Sequence, residues 1–459
     1  MRQSKRPALL RSMISLDALP SIRGLTPIDN LIRFFIDTDR YLERCRRLGP
    51  LVRLRLPGPV PILAVHGPEA VEQVLLTKNR SFIKDRNTRR ILDVVGNGLL
   101  VSEGEFWRRQ RRLAQPAFAR QHLARYGATI VDLTRRHTDR WREGATVDLS
   151  AAMMDLAREA VTSTLLSSEL GRRANDLGDA LDPIMARFSD WRFGVFPALG
   201  RLPLAMNARF DAARAQMIRV VDGIIAERRA TPADRGDLLT RLLEAQDDDG
   251  TGMTDEQLRS ELLILLLAGH ETTALALTWI FALLAAAPRV WTELRRELDR
   301  EVGERPLTAA DLPRLPYLEA VVLEGLRLRP PAWSVGREAV EDVEIAGVRV
   351  PAGCQLWMFA WSQHRDARLF PRPLEFRPER WEGDLLSALP RCAYFPFGGG
   401  PRLCIGRSFA MLEATLILGT IAQRWQPEVA RPERIRPTFS LTLRTHRRVL
   451  ARITRRPAA

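Results

Sequence analysis

The sequence predicts a mainly α-helical fold with a small β-rich part, and three observations support this prediction. Residues 121–229 show the spacing of successive amphipathic helices, with few strand signals. A second helical pattern, which runs from Thr254 to Pro288, is apolar on nearly all sides. The strand patterns are short, and they fall at residues 51–56, 61–65 and 340–350. A chain of 459 residues, 46% of them hydrophobic, can bury a large core around these elements.

The chain divides into a short leader and one large domain. Residues 1–25 are polar and contain no apolar run long enough for a signal peptide or a membrane anchor. Residues 26–459 are expected to form a single domain. The four cysteines are scattered and include no C-x-x-C pair, which predicts reduced thiols and a cytoplasmic location. They are Cys45, Cys354, Cys392 and Cys404.

The net charge of +15 is carried almost entirely by arginine. A surface this basic can attract nucleic acid, an anionic membrane or an acidic protein. The sequence shows no nucleic-acid-binding motif and no basic run with interleaved aromatic residues. The charge therefore favours an acidic protein partner.

The most informative stretch lies between Phe397 and Gly406. Three consecutive glycines and Pro401 form a tight turn, and Cys404 follows just before a helical pattern. The orphan N–H groups and the dipole at a helix start favour an anionic sulfur, which is the form of cysteine that binds metal, and Arg402 adds a cation to the turn. Two alternatives are a phosphate-binding loop, which lacks its third glycine, and an inert core thiol.

The apolar helical pattern begins with a capping box at Thr254 and Gln257. It fits either a membrane span or a helix that crosses the core of a large protein, and the absence of a second span favours the core helix. At its centre, Ala268 and a glycine precede Glu271 and Thr272. A buried carboxylate needs a partner or a function. The alternative is a threonine that bonds back to its own helix, beside a glutamate in a structural ion pair.

Two further helical stretches carry charged patterns. Trp107 and Arg111 are four residues apart and share one helix face, whereas Arg108 and Arg112 share another, beside Arg109. A solvated basic helix is the alternative there. The second pattern is E-x-x-R, which is weak by itself. Apolar residues surround the copy formed by Glu324 and Arg327, and two prolines end its helix.

These motifs, in this order, resemble those of the cytochrome P-450 superfamily of haem-thiolate monooxygenases, over the chain from about residue 40 onward. The resemblance implies the cytochrome P-450 fold, with the long central helix crossing the core over the haem. It implies haem b as the cofactor and Cys404 as the axial ligand of its iron, in a loop that includes Phe397, Arg402 and Gly406. Ala268 would leave room above the iron, and Glu271 and Thr272 would deliver protons as catalytic residues.

The resemblance also assigns roles outside the cysteine loop, which consists of residues 397–406. Trp107, Arg111 and Arg337 would bind the haem propionates. Glu324, Arg327 and Arg380 would form a buried structural network. Since Trp107 and Arg111 would face the haem, helical spacing directs Arg108, Arg109 and Arg112 outward, where they would dock an electron donor.

The implied reaction is the insertion of one atom of O2 into an apolar small molecule, such as a fatty acid, a terpenoid or a polyketide-type compound. The chain contains no flavin domain, so electrons would come from a separate ferredoxin or flavodoxin with its reductase. We expect a monomer with no membrane span. Alternatives within the same fold are a peroxide-driven peroxygenase and a haem-thiolate isomerase, and outside enzymes a haem-based sensor.

Overall fold

The computed structural model describes residues 15–22, 24, 26–166, 172–190, 199–200, 202 and 204–456. Within them the chain is mainly helical, as predicted. The helices are α1 Pro27–Ile36, α2 Thr38–Leu48, α3 Pro68–Glu72, α4 Arg86–Arg89, α5 Leu92–Val95, α6 Gly104–Ala114, α7 Arg120–Thr138, α8 Leu149–Leu166, α9 Arg172–Ser189, α10 Ala205–Ala230, α11 Leu238–Glu244, α12 Asp255–Ala285, α13 Pro288–Glu301, α14 Pro316–Leu328, α15 Ala360–Gln363, α16 Leu385–Ala388 and α17 Arg407–Arg424.

The strands form small sheets at the edge of the helical body. They are β1 Leu51–Leu54, β2 Ile62–Val65, β3 Phe82–Lys84, β4 Thr146–Asp148, β5 Val335–Ala339, β6 Val343–Ile345, β7 Val348–Val350, β8 Gln355–Met358, β9 Trp425–Val429, β10 Pro437–Phe439, β11 Leu443–Thr445 and β12 Leu450–Arg455. The largest sheet has the order β1-β2-β8-β5-β3. The strand patterns predicted at residues 51–56 and 61–65 are confirmed as β1 and β2, which pair antiparallel, and the pattern at residues 340–350 contains the antiparallel pair β6 and β7.

Helix α12 runs through the core. Its capping box is formed, because the Thr254 hydroxyl accepts the N–H of Gln257 and the Gln257 side chain accepts the N–H of Thr254. The helix is long and apolar enough to cross a membrane, yet 72% of its apolar window is buried inside the protein. It packs against α8, α10, α14 and α17. The choice of a core helix over a membrane span is therefore supported.

Part of the predicted leader belongs to the folded body. Residues 1–14 lie outside the described residues. Residues 15–22 contact β1, because the N–H of Arg53 donates to the carbonyl of Pro20 at 2.9 Å and Arg53 also pairs with Asp17. The side chains of Leu19 and Ile22 are buried. Residues 15–22, which precede the boundary expected after residue 25, thus pack against the folded body.

A buried ionic network connects α14 to the segment before the cysteine loop. Arg327 makes two hydrogen bonds to Glu324, at 2.8 and 2.9 Å, and both side chains are fully buried. The carboxylate also accepts from Arg380 Nε at 2.9 Å and from Trp381 Nε1 at 3.0 Å. The network that the resemblance implied for Glu324, Arg327 and Arg380 is thus formed. The sequence interpretation did not include Trp381.

The network reaches the cysteine loop through His364. Arg327 donates to the carbonyl of His364 at 2.7 Å, and the Nε2 atom of His364 accepts the N–H of Phe395 at 3.0 Å. Burial holds the pKa of His364 well below its usual value, so the ring is a neutral acceptor. Tyr394 also donates its hydroxyl to the carbonyl of Leu323 at 2.9 Å. The segment just before the cysteine loop is therefore attached to α14 at two points, Tyr394 and Phe395.

We expect Glu324→Gln to lower the free energy of unfolding in urea by about 3–5 kcal/mol, because it leaves Arg327 and Arg380 without their shared buried anion. The matched control is Glu293→Gln, which breaks the exposed pair Glu293–Arg296 at the same E-x-x-R spacing. That control should cost less than about 1 kcal/mol. Equal costs in the two variants would contradict a structural role for the buried network.

Candidate active site

One cavity of about 460 Å³ lies between α12 and the cysteine loop. Its wall contains all ten residues that the sequence assigned to catalysis, iron ligation and cofactor binding. They are Trp107, Arg111, Ala268, Glu271, Thr272, Arg337, Phe397, Arg402, Cys404 and Gly406. Residues separated by almost 300 positions in the chain thus share one site.

The cysteine loop depends on its glycines. Gly398 and Gly400 have φ angles of +73° and +66°, which side-chain-bearing residues rarely adopt. A Cβ atom at Gly400 would also overlap the carbonyl oxygen of Leu75. The loop is closed by a hydrogen bond of 3.0 Å from the N–H of Cys404 to the carbonyl of Phe397. This geometry holds the sulfur at the cavity wall.

Cys404 does not lie in the first turn of the following helix. Helix α17 begins at Arg407 with Gly406 as its N-cap, so the cysteine is two residues farther out. Burial in the loop raises the pKa of the Cys404 thiol, although the N–H of Gly406 and the cations Arg111 and Lys84 act in the opposite direction. The expectation of an anionic sulfur beside the helix start is thus met in part, since the N–H of Gly406, the N-cap of α17, favours the thiolate while burial opposes it. A bound metal would stabilise the deprotonated sulfur further.

The other three cysteines differ from Cys404 in their access to the cavity. Burial raises the pKa of Cys45 and Cys354 to about 12 and that of Cys392 to about 11. None of the three lines the cavity, whereas the Cys404 side chain is accessible from it. Cys404 is thus the cysteine in position to bind a ligand there.

Two arginine side chains lie at the cysteine loop. The Arg402 guanidinium lies 3.9 Å from the ring centroid of Trp107, donates to the carbonyl of Ser102 at 2.8 Å and pairs with Glu103. Arg111 donates to the carbonyl of Leu403 at 2.9 Å. Both arginines therefore tie α6 and the residues before it to the cysteine loop.

Two more cations line the same part of the cavity. Burial, with Arg402 nearby, lowers the pKa of Arg337 to about 10. Burial and the neighbouring Arg337 and Arg402 lower the pKa of Lys84 to about 7. The sequence interpretation did not assign Lys84 to the site. One signal was available, because lysines are rare among the 70 basic residues of this chain.

The central part of α12 forms the facing wall. The Thr272 hydroxyl donates to the carbonyl of Ala268 at 2.7 Å, and the buried Glu271 forms an ion pair with Arg444 of β11. These are the two contacts expected of the structural alternative. Both residues nevertheless line the cavity, and one carboxylate oxygen of Glu271 is buried without a hydrogen-bond partner among the described residues.

A second carboxyl lies on the cavity wall in α17. The Thr273 hydroxyl donates to Glu413 at 2.8 Å, and complete burial raises the pKa of Glu413 to about 8. Sequence analysis missed both Glu413 and Arg444, because their partners on α12 are 140 and 173 residues away. No local pattern in the sequence marks such contacts.

The three arginines assigned to docking have acidic partners within the chain. Arg109 donates to Asp247 at 2.7 Å and to the carbonyls of Thr251 and Gly252, and it is half-buried. Arg109 therefore does not point freely outward, as helical spacing had led us to expect, but lies against the loop at Asp247. Arg108 and Arg112 are exposed, as expected, but they pair with the exposed carboxylates of Glu105 and Asp248.

Comparisons with known proteins point to one family. The family model described as Cytochrome P450 matches residues 38–451. A cyclooctatin synthase from Streptomyces melanosporofaciens is 38% identical over 408 residues, which cover 88% of this chain and 88% of the relative. A pentalenene oxygenase from Streptomyces avermitilis is 34% identical over 410 residues, covering 89% and 91%. A solved structure of retinoic acid-bound cyanobacterial CYP120A1 matches with a TM-score of 0.83 at 25% identity, over 95% of this chain and 99% of that one.

Proteins of this family bind haem through a cysteine thiolate, and the residues of the cavity fit that group. The sulfur of Cys404 is accessible from the cavity. The carboxylates of Asp85 and Glu103 act on Lys84 and Arg337, but the cations on this side of the cavity outnumber them. The two propionates of haem b would balance this surplus of positive charge. The cations that would hold them are Lys84, Arg111, Arg337 and Arg402.

We expect Cys404→His to bind haem but to lose the red-shifted Soret band that thiolate ligation gives to the ferrous carbon monoxide complex. Absorption spectroscopy of the purified protein measures this band. Cys45→Ala, Cys354→Ala and Cys392→Ala should retain it, because those thiols do not line the cavity. A Cys404→His protein with an unchanged band would exclude Cys404 as the ligand.

Proposed function

The chain belongs to the cytochrome P450 family, and from that premise we propose that it is a monooxygenase that hydroxylates a terpenoid. The observation that carries this proposal is the similarity over almost the whole chain to two relatives named for cyclooctatin and pentalenene, both of which are terpenoids. The apolar lining of the cavity supports an apolar substrate. Its apolar lining away from the cysteine loop includes Ile91, Val95, Leu99, Leu100, Leu165 and Ile264.

The residues of α12 are suited to moving protons in a site that excludes bulk water. Haem, when bound, supplies the activation of O2. The Glu271 carboxylate is buried on the cavity wall, and its partner Arg444 is partly exposed, so the pair extends from the cavity toward solvent. The Thr272 hydroxyl can accept a proton from one side and donate on the other, after releasing the carbonyl of Ala268.

The substrate class is tested by titrating the haem-loaded protein with cyclic terpene hydrocarbons and their mono-alcohols. We expect a blue shift of the Soret band as the substrate displaces water from the iron, followed by a product that has gained one oxygen atom in mass spectrometry. Linear fatty acids of similar carbon number should give a smaller shift. A shift with fatty acids alone would overturn the terpenoid proposal and leave the monooxygenase class intact.

We expect Thr272→Ala to bind the same substrate with little change, while product per reducing equivalent falls and peroxide rises. Thr278→Ala is the matched control, because Thr278 makes the same 2.7 Å bond to its own helix but does not line the cavity. If both threonine variants uncouple equally, the role of Thr272 is structural.

Glu271→Gln should slow turnover by roughly 100-fold, as expected for the loss of a positioned proton donor.

We also propose that an acidic ferredoxin or flavodoxin donates the electrons and docks where Arg108 and Arg112 are exposed. Exposed ion pairs contribute little stability and exchange partners readily, so Glu105 and Asp248 can give way to carboxylates of the donor. Arg109 is better described as the residue that holds the loop at Asp247. We further propose that the protein acts as a monomer in the cytoplasm. The apolar helix of membrane length among the described residues, α12, lies in the core.

Replacing Arg108 and Arg112 by Glu should slow reduction by an acidic donor by about tenfold at low salt and flatten its salt dependence, because steering acts on the association rate. Turnover supported by peroxide should not change. The matched control reverses Arg296 and Arg300, which have the same spacing and are exposed beside the carboxylates of Glu293 and Glu301. A similar slowing in the control would mean that net charge, and not a docking site, controls the rate.

A further inference from the structure

Glu261 is a buried carboxyl on α12 that the oxygen chemistry does not use. The residue is 1% exposed and lies about two helical turns before Ala268. Both of its carboxylate oxygens lie 3.1 Å from the backbone nitrogen of Leu99, which donates its N–H. Burial raises the pKa of Glu261 to about 7, and the hydrogen bond from Leu99 acts in the opposite direction.

The N–H that Glu261 accepts belongs to the wall loop, which we define as residues 96–103, between α5 and α6. Within this loop the carbonyl of Gly98 accepts the N–H groups of Val101 and Ser102, at 3.1 and 2.9 Å. The N–H of Leu99 takes no part in that turn. A buried N–H without an acceptor costs about 1–3 kcal/mol, so Glu261 removes a substantial penalty.

The wall loop lies directly against α12. Gly96 has a φ angle of +74°, and a Cβ atom there would overlap the Ser260 hydroxyl. A Cβ atom at Gly98 would lie 2.6 Å from Ile264 and 3.1 Å from the backbone oxygen of Ser260. The loop can approach the helix this closely only because both positions are glycine. Glu261 therefore meets Leu99 at a contact that leaves little freedom for either partner.

The far end of the wall loop is held by the cysteine loop. Arg402 donates to the carbonyl of Ser102 and pairs with Glu103. Glu103 in turn accepts the backbone N–H of Lys84 at 2.7 Å. Between this anchor and the anchor at Glu261, the side chains of Leu99 and Leu100 line the cavity.

We propose that Glu261 is a positioning residue for the substrate cavity. By accepting the Leu99 N–H, it fixes the wall loop against α12, and with it the surface that Leu99 and Leu100 present to an apolar ligand. It acts through the loop and does not itself touch the substrate. The inference applies to any apolar ligand and does not depend on the terpenoid assignment.

The position of the wall loop should depend on pH. If the loop moves away, water reaches Glu261 and its pKa falls toward the usual value, so the closed loop holds the proton more tightly than the open one. The contact between the wall loop and α12 is then most stable at low pH, and its stability falls as the pH rises through about 7.

Charged groups on the elements around Glu261 have partners of their own or are exposed. Asp93 of α5 is exposed. The neighbouring pairs are Arg228–Asp237, Arg259–Asp222 and Arg158–Asp155. None of these groups contributes to the shift of the Glu261 pKa, which comes from burial and from Leu99.

The test measures hydrogen–deuterium exchange at the Leu99 amide in the full, haem-loaded chain. In the unmodified protein, protection relative to the intrinsic rate should fall about tenfold between about pH 6 and about pH 8. Glu261→Gln keeps an acceptor but cannot ionise, so protection should persist without that pH dependence. Glu261→Met removes the acceptor and should lower protection about tenfold or more at both values. Glu256→Gln, on the exposed side of the same helix, should behave like the unmodified protein.

A second measurement connects the loop to the cavity. An N-alkyl-1,2,4-triazole coordinates haem iron through an uncharged ring, and its alkyl arm would occupy the cavity. We expect Glu261→Met to weaken its affinity several-fold and Glu256→Gln to leave it unchanged. Unchanged Leu99 protection in Glu261→Met would overturn the contact, and unchanged triazole affinity with lost protection would overturn the positioning role. If Glu261→Met fails to bind haem, the Glu261→Gln protein decides, because wild-type pH dependence there would exclude Glu261.

Discussion

The structure depends on one carboxylate, Glu324, which is fully buried and accepts hydrogen bonds from two arginines and an indole. A buried ionic group is stabilising only when every partner is in place. The arginine side of the network also binds carbonyl oxygens of the segment that leads to the cysteine loop. Satisfying these buried charges therefore fixes the approach to Cys404.

The cavity has two unlike ends, and each follows from the elements that form it. The end beside the cysteine loop is lined by cationic side chains from β3, α6 and β5. A dianionic cofactor would balance their positive charge. The end beside α12 is apolar, because that helix is hydrophobic on nearly all sides and buries most of its length. A flat, partly charged cofactor and an apolar substrate thus have separate places. The wall loop joins the two ends, since it contacts Arg402 at one anchor and Glu261 at the other.

The sequence predicted the parts of this site whose signals are local. These parts are the glycine turn around Cys404, the capping box of Thr254, and the adjacent Glu271 and Thr272 of α12. Each depends on residues that are neighbours in the sequence, and each lies in the element where the sequence placed it. The missed residues depend on contacts between distant segments: Arg444 with Glu271, Glu413 with Thr273, and Leu99 with Glu261. The ion pair that turns Arg109 toward Asp247 was missed for the same reason. Helix propensity predicts the ends of a helix to within a few residues. It does not show which distant loop supplies the acidic partner of an arginine on that helix.

Three buried carboxyls lie along the helices that border the cavity, and their partners suit them to different tasks. Glu413 has a threonine hydroxyl as partner and a pKa of about 8, so it is mostly neutral near pH 7 and resembles a structural polar contact. Glu261 has a backbone N–H and a pKa of about 7, which couples its charge to the position of a loop. Glu271 alone of the three is paired with a cation, and that cation is partly exposed. The ion pair of Glu271 and Arg444 thus extends from the cavity wall toward solvent, which is the arrangement that the proposed delivery of protons by Glu271 calls for.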